Sequence, residues 1–396
     1  MPDTASWAVR LGGDQFLTQA LHRSYAVFPA TGAEAGPLLS WDDLNAILAS
    51  HRIEPPRLRL SLDGQTVPVG RYSTPVANRR GVSWHRLHPA DFHARLAEGA
   101  SLVLDAIDEI HSPIRAAAVE LERFTGTPVQ TNAYASWTAQ EGFGRHWDDH
   151  DVVVVQQYGA KRWRLWEPTR TAPTFRDVDS PPEPEGDPVA DFVLHPGDVL
   201  YLPRGWWHSV AADQGTPSLH LTFGLVAQTG ATLLAWLADE LHRSPVVRED
   251  IPVHGTAEEQ STYLATLRDA LLAELSDPDL VGRWARSTGT THFGRPAPSL
   301  PYVESLPADS GLTVRITAPR AELTRDPEAG TVTLSAAGTD WDFVERAVPV
   351  LETLLAGGCA SIGQLADDSG LEVRDVADLL TELVRGQALA VVKAAE

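Results

Sequence analysis

The 396-residue chain is short of sulfur: it has one cysteine, Cys359, and one methionine. A single cysteine excludes an internal disulfide and any Cys-rich zinc site, and it fits a reducing compartment. No apolar run approaches the ~20 residues that a membrane-spanning helix needs. The N-terminal stretch MPDTASWAVRLGGDQ lacks a basic region followed by an apolar one, so it does not read as a secretory signal. A cytoplasmic protein without membrane contact is expected. Basic residues are also scarce, with 32 Lys+Arg against 53 Asp+Glu and a formal net charge of −21. That balance argues against broad non-specific binding to nucleic acid, is compatible with a basic protein partner, and equally serves solubility. The length suffices for two or three domains.

The most informative stretch runs from Thr131 to Pro168 and centres on His146-Trp147-Asp148. On a strand, residues two apart point to one face, so this spacing aims an imidazole and a carboxylate into one space. A third ligand would complete a 2-His-1-carboxylate facial triad. His150 continues the alternation, so it either competes as a ligand or stands behind or at the rim of the site, whereas Asp149 points away as a solvated or turn carboxylate. Val152 to Val155 reads as a buried strand, and Lys161 to Trp166 alternates as a half-buried one after a turn. Together they predict a hairpin with ligands on one strand and a cation on the next. Downstream, His195-Pro196-Gly197-Asp198 turns into a short strand, and Pro203-Arg204-Gly205 turns again before His208. A histidine there can return to the same mouth.

This arrangement resembles the JmjC-type, cupin-fold ribosomal oxygenases, which are 2-oxoglutarate-dependent hydroxylases of ribosomal proteins. The likeness covers nearly the whole chain in layout and is sharpest from Asn132 to Thr222. It implies that His146, Asp148 and His208 hold Fe(II). It implies that Lys161, fifteen positions after the first ligand, pairs with the distal carboxylate of 2-oxoglutarate. Asn132 and Tyr134 match polar residues lining the same pocket, and Ser218 to Thr222 matches a late barrel strand. O₂ is the second co-substrate, and the implied target is an Arg or His side chain of a ribosomal protein. Trp147, Trp206 and Trp207 either shape the mouth or simply pack. The same chemistry on a small metabolite or a peptide natural product is an alternative. So is a non-catalytic metal-binding scaffold, or a cupin using Zn or Mn, because divalent affinities follow availability as well as geometry.

The expected fold class is α+β, with a double-stranded β-helix core of the jelly-roll, cupin JmjC type. Residues 1–227 would form that catalytic domain with N-terminal helices. A helix is expected from Asp14 to Tyr25, and another from a Ser40 N-cap through His51, with Asp43 in the capping-box position. Leu58–Leu62 and Gln65–Val69 read as paired strands around Asp63-Gly64. Further helices are expected at Pro89–Ala97 and Ser112–Phe124, and strands at Ser101–Asp105 and Val129–Ser136. Thr171 to Pro188 reads as a loop. Residues 228–299 are expected to be helical, over Gly230–His242, Ala257–Leu275 and Asp277–Ser287, and in the resembling family such a segment makes a homodimer. Residues 300–396 give strands at Gly311–Thr317 and Thr331–Ser335, helices at Asp342–Leu355, Ser361–Ala366 and Val373–Arg385, and a final strand at Ala388–Val392. That order is winged-helix-like. With 7 Lys+Arg against 16 Asp+Glu in 301–396, a structural or protein-contact module is expected, with no direct DNA binding.

Overall fold

A computed structural model of the protein describes residues 6–32, 36–174 and 182–392, so the expected loop at 171–188 lies partly outside the described residues. The chain divides into two compact units, Met1–Ala227 and Gln228–Glu396.

Among the described residues, the first unit holds four α-helices: α1 (Trp7–Leu11), α2 (Trp41–Ser50), α3 (Pro89–Ala97) and α4 (Ser112–Thr125). Its strands are β1 (Ala26–Phe28), β2 (Leu58–Leu62), β3 (Gln65–Thr66), β4 (Ser73–Ala77), β5 (Ser83–Leu87), β6 (Ser101–Leu104) and β7 (Val129–Ser136). Then come β8 (Asp151–Tyr158), β9 (Ala160–Trp166), β10 (Ala190–Leu194), β11 (Val199–Leu202), β12 (Trp207–Asp213) and β13 (Ser218–Leu225). One sheet runs β1-β11-β8-β13-β7-β6-β2-β3, a second runs β10-β9-β12, and β4 pairs only with β5. The two larger sheets form the double-stranded β-helix expected from the sequence.

The valine run of β8 is apolar on both faces because both are covered. Val153 and Val155 pack with Leu44, Phe92, Ile114 and Leu121 from the helices. Val152 and Val154 point the other way, onto Trp163, Leu165 and Leu200 between the sheets. Ser40 caps α2 with a capping box closed by Asp43, as its spacing predicts.

Three expectations are corrected in this unit. The predicted hairpin of β8 and β9 is not a paired ladder, because the two strands belong to different sheets. The chain crosses at Gly159, whose φ is +66° and where a Cβ would lie 2.1 Å from the Pro217 carbonyl oxygen, so only glycine fits. His146 and Asp148 do not sit on a regular strand; they precede β8, and His146 makes a single antiparallel bridge to His208. The predicted helix over Asp14–Tyr25 starts as expected but ends at Ala20, closing in a π-helical turn, Phe16–Ala20. His22 takes a left-handed φ of +60° there and donates its N–H to Tyr201 Oη at 2.7 Å, which stops the helix. Finally, the β4–β5 hairpin and β10 were not anticipated, because neither carries a clear apolar alternation.

The second unit opens with α5 (Gly230–Glu240), α6 (Pro245–Arg248), α7 (Ala257–Leu275) and α8 (Leu280–Thr290). It continues with β14 (Thr313–Ile316), β15 (Glu322–Asp326), β16 (Thr331–Ala336), β17 (Thr339–Val344), α9 (Val348–Leu355), β18 (Cys359–Ser361), α10 (Ile362–Ser369), α11 (Val373–Arg385) and β19 (Leu389–Val392). The helix expected from Asp342 starts only at Val348. Thr339–Val344 is instead a strand, paired to β16 with Trp341 opposite Leu334 and Phe343 opposite Val332. Alternating aromatic residues there win over helical periodicity. No described helix is long and apolar enough to cross a membrane.

Candidate metal centre

The site begins with backbone pairing. His146 N–H donates to the His208 carbonyl at 3.0 Å, and His208 N–H returns to the His146 carbonyl at 2.7 Å. This exchange places the imidazoles on one side, with ring centroids 4.2 Å apart. Asp148 is tied to the same turn, since its carbonyl accepts from Gly205 N–H at 2.9 Å. One ligand atom from each of His146, Asp148 and His208 lies within 4.8 Å of the others.

Both rings are oriented alike. His146 Nδ1 lies 3.0 Å from the Gly144 carbonyl, and His208 Nδ1 lies 3.1 Å from the Trp206 carbonyl. A carbonyl can only accept, so each Nδ1 carries the proton and each Nε2 keeps its lone pair for a metal. His208 Nε2 is 3.6 Å from Asp148 Oδ2. Burial, then the neighbouring His146, pushes the His208 imidazolium down to about 4, so the ring is neutral and ligand-ready at physiological pH. Trp163 stacks on His208 at 5.6 Å.

A buried carboxylate fixes the turn that carries His208. Asp151 accepts from Arg204 N–H at 3.0 Å, from Tyr201 Oη, and pairs with His22 Nδ1 at 2.7 Å. Despite the cost of burial, these bonds hold its carboxyl below the usual range.

A cavity of about 240 Å³ opens on the triad, lined also by Tyr134, Phe143, Lys161, Trp163, His220 and Thr222. Lys161 is buried at its wall. Its Nζ donates to Ser136 Oγ at 2.9 Å and lies 3.1 Å from His220 Nδ1. No carboxylate among the described residues pairs with it, and burial lowers its pKa to about 7. Tyr134 lies parallel to His220, with centroids 5.0 Å apart, and burial pushes its phenol up to about 12.

Of the residues singled out in the sequence, His146, Asp148, His208, Lys161 and Tyr134 converge on this cavity. Asn132 does not line it: its Oδ1 accepts from Ala106 N–H at 3.0 Å. His150 stands apart from the triad, with Nδ1 3.0 Å from Asp149 Oδ1. Trp206 packs edge-on against Tyr25, and Trp207 Nε1 donates to Thr169 Oγ1 at 3.0 Å. His220, Ser136 and Trp163 were missed. His220 had a signal: it stands across from Tyr134 as a polar residue within the buried, largely apolar β13.

The donor set predicts one divalent-cation site. Titration calorimetry with Co(II) should give one equivalent for the wild type and for His150→Ala, and none for His146→Ala or His208→Ala. Loss in His150→Ala with retention in His208→Ala would contradict this ligand assignment.

Comparison with known proteins agrees with the geometry. Residues 109–233 match the JmjC domain family. The chain is 31% identical over 172 residues to the bifunctional lysine-specific demethylase and histidyl-hydroxylase NO66 of Drosophila persimilis, covering 43% of this chain and 22% of that protein. It is 41% identical over 105 residues to ribosomal oxygenase 2 of Rattus norvegicus, covering 26% of this chain and 22% of the relative. The chain thus spans about a fifth of the length of these relatives. Among solved structures, the Escherichia coli ribosomal oxygenase YcfD, in complex with cobalt and 2-oxoglutarate, aligns with a TM-score of 0.61 at 18% identity, over 96% of this chain and 97% of that one. Residues 109–233 therefore form a JmjC domain, on the cupin fold that this chain shares with a bacterial ribosomal oxygenase.

Proposed function

We propose that the protein is an Fe(II)- and 2-oxoglutarate-dependent oxygenase that hydroxylates an Arg or His side chain of a ribosomal protein. The observation that carries this is the buried, acid-free Lys161 at the wall of the cavity that opens on His146, Asp148 and His208. Lowering an amine from 10.5 to about 7 corresponds to roughly 5 kcal/mol against its charged form. That is comparable to the whole net stability of many domains, about 5–15 kcal/mol. Such an ammonium makes sense as half of a pair whose other half is the ligand.

His146, Asp148 and His208 would hold Fe(II). When bound, iron supplies the activation of O₂ that couples decarboxylation of 2-oxoglutarate, giving succinate and CO₂, to hydroxylation of a C–H bond. The chain's own residues do the rest. Lys161 pairs with the distal carboxylate, positioned by Ser136 and by neutral His220. The charges of Asp148, Fe(II), Lys161 and dianionic 2-oxoglutarate sum to zero, which suits a cavity of low polarizability. Trp163, Phe143 and Tyr134 keep water from the reacting atoms. Asn132 acts at one remove, by bonding to Tyr134 and to the Ala106 backbone.

Other parts of this reading concern the rest of the chain. Residues 1–227 are the catalytic domain and 228–299 a homodimerisation segment. Helix α7 supports the latter, since none of its residues is buried and Leu264, Leu272 and Leu275 are exposed. Residues 300–396 are a winged-helix-like module for protein contact, without direct DNA binding. The protein acts in the cytoplasm, where a basic ribosomal protein complements its net charge of −21.

The co-substrate pairing gives a pH test with a definite sign. A dicarboxylate pairs with the ammonium and not with the amine. Affinity is therefore full below about pH 7 and falls as pH rises, by up to about tenfold per unit. Calorimetry of 2-oxoglutarate into protein saturated with redox-inert Mn(II) should show this fall. Lys161→Met should bind at least roughly 30-fold more weakly and without that pH dependence. A flat wild-type profile would remove Lys161 from the pairing. The substrate is tested by mass spectrometry of intact ribosomal proteins from cells with and without the gene. One protein should lose the mass of a single oxygen atom when the gene is absent, and an unchanged set would exclude a ribosomal substrate.

A further inference from the structure

The acidity of the chain is unevenly spread. Residues 51–95 hold eight of the 32 basic residues and three of the 53 acidic ones. Four of these arginines are internally paired: Arg52 with Glu54, Arg57 with Glu109, Arg59 with Asp105 and Arg95 with Glu98. The other four, Arg71, Arg79, Arg80 and Arg86, are exposed and have no acidic partner among the described residues. All four belong to the β4–β5 hairpin or its foot. Arg79 and Arg80 occupy the tip, where Asn78 Oδ1 accepts from the N–H groups of Arg80 and Val82 at 2.9 and 3.1 Å. The tip is thereby preformed. Arg86 stands on β5 opposite Thr74, and Arg71 lies two residues before the start of β4.

The same hairpin walls a groove of about 1010 Å³, closed on its other sides by the end of α2 and by α3. Trp84 and Arg86, two apart on β5, both face it, with Leu48 and Phe92 opposite. The Arg52 guanidinium lies over the Trp84 ring, 4.9 Å from its centroid. Nothing in the proposed oxygenase chemistry uses this groove, and none of its lining residues is shared with the metal cavity.

We propose that this face binds single-stranded RNA. The occupant follows from charge complementarity and shape. Unpaired guanidiniums stand at both ends of a five-residue strand pair, a span of about 17 Å, which suits an anion that repeats along a chain. The groove beside them offers an aromatic wall, and a charged groove interleaved with aromatic rings is the recurring form of single-strand recognition. A run of acidic residues could pair with the guanidiniums, but its carboxylate side chains carry no aromatic ring to lay against Trp84. The strongly acidic remainder of the chain confines RNA to this face and suppresses binding elsewhere. The inference is independent of the oxygenase reading.

The test is fluorescence anisotropy of a labelled oligouridine of roughly twelve nucleotides with the full-length protein. Four phosphate contacts on a single strand predict that raising salt from about 50 to 200 mM weakens binding roughly 50-fold. The triple variant Arg79→Gln, Arg80→Gln, Arg86→Gln changes only exposed side chains. It should bind at least tenfold more weakly at the lower salt and retain wild-type Co(II) binding as its check of folding. Absence of wild-type binding, or an unchanged triple variant, would overturn the proposal. So would displacement of the RNA by polyglutamate as effectively as by unlabelled oligouridine, because the face would then read acidic protein.

Discussion

Two backbone hydrogen bonds between His146 and His208 join the segment before β8 to the first strand turn of β12. They form an isolated bridge outside the named ladders, yet the whole centre depends on them, because they set two imidazoles side by side. Two ordinary hydrogen bonds contribute only about 1 kcal/mol each, too little to order two loops alone. The remainder comes from Asp151, a buried carboxylate that gathers His22, Tyr201 and the Arg204 backbone around the turn before His208. The Gly205 bond to the Asp148 carbonyl then links that turn to the third member of the cluster.

The barrel around this centre is asymmetric in a useful way. Its outer face on the large sheet is mostly apolar and lies under the helices, with Asp151, Gln157 and Thr131 as buried polar exceptions. Its inner face mixes Trp163 and the valines with Ser136, Lys161 and His220. The polar groups are few and each is oriented by another, as in the chain from Ser136 through Lys161 to His220 and on to Tyr134. Such a network is stable only when each polar atom has a partner, and Lys161 finds Ser136 and His220 but no acid among the described residues.

Much of the site is legible in the sequence, by two routes. The two-residue spacing of His146 and Asp148 suggests a shared direction, whereas Lys161 and Tyr134, on β9 and β7, are legible only through the family resemblance. His208 was reachable because Pro203-Arg204-Gly205 marks a turn before it. The crossing of β8 and β9 between sheets was not legible, since a turn at Gly159 is equally consistent with a tight hairpin; the obstacle that makes glycine necessary, the Pro217 carbonyl, is remote in sequence. Asn132 shared the alternation of Tyr134, but its side chain is taken by Ala106, which no pattern announces. Likewise the end of β17, residues 342–344, fits a helical continuation into α9 until its partners on β16 are known.

The central claim is that the His146–Asp148–His208 cluster and Lys161 form one oxygenase centre. It is tested most directly by loading the protein anaerobically with Fe(II) and 2-oxoglutarate, admitting O₂, and measuring succinate, with His208→Ala alongside. Succinate from the wild type and none from the variant is the predicted result. Equal succinate from both, or none from either together with no metal-dependent binding of 2-oxoglutarate, would contradict the account.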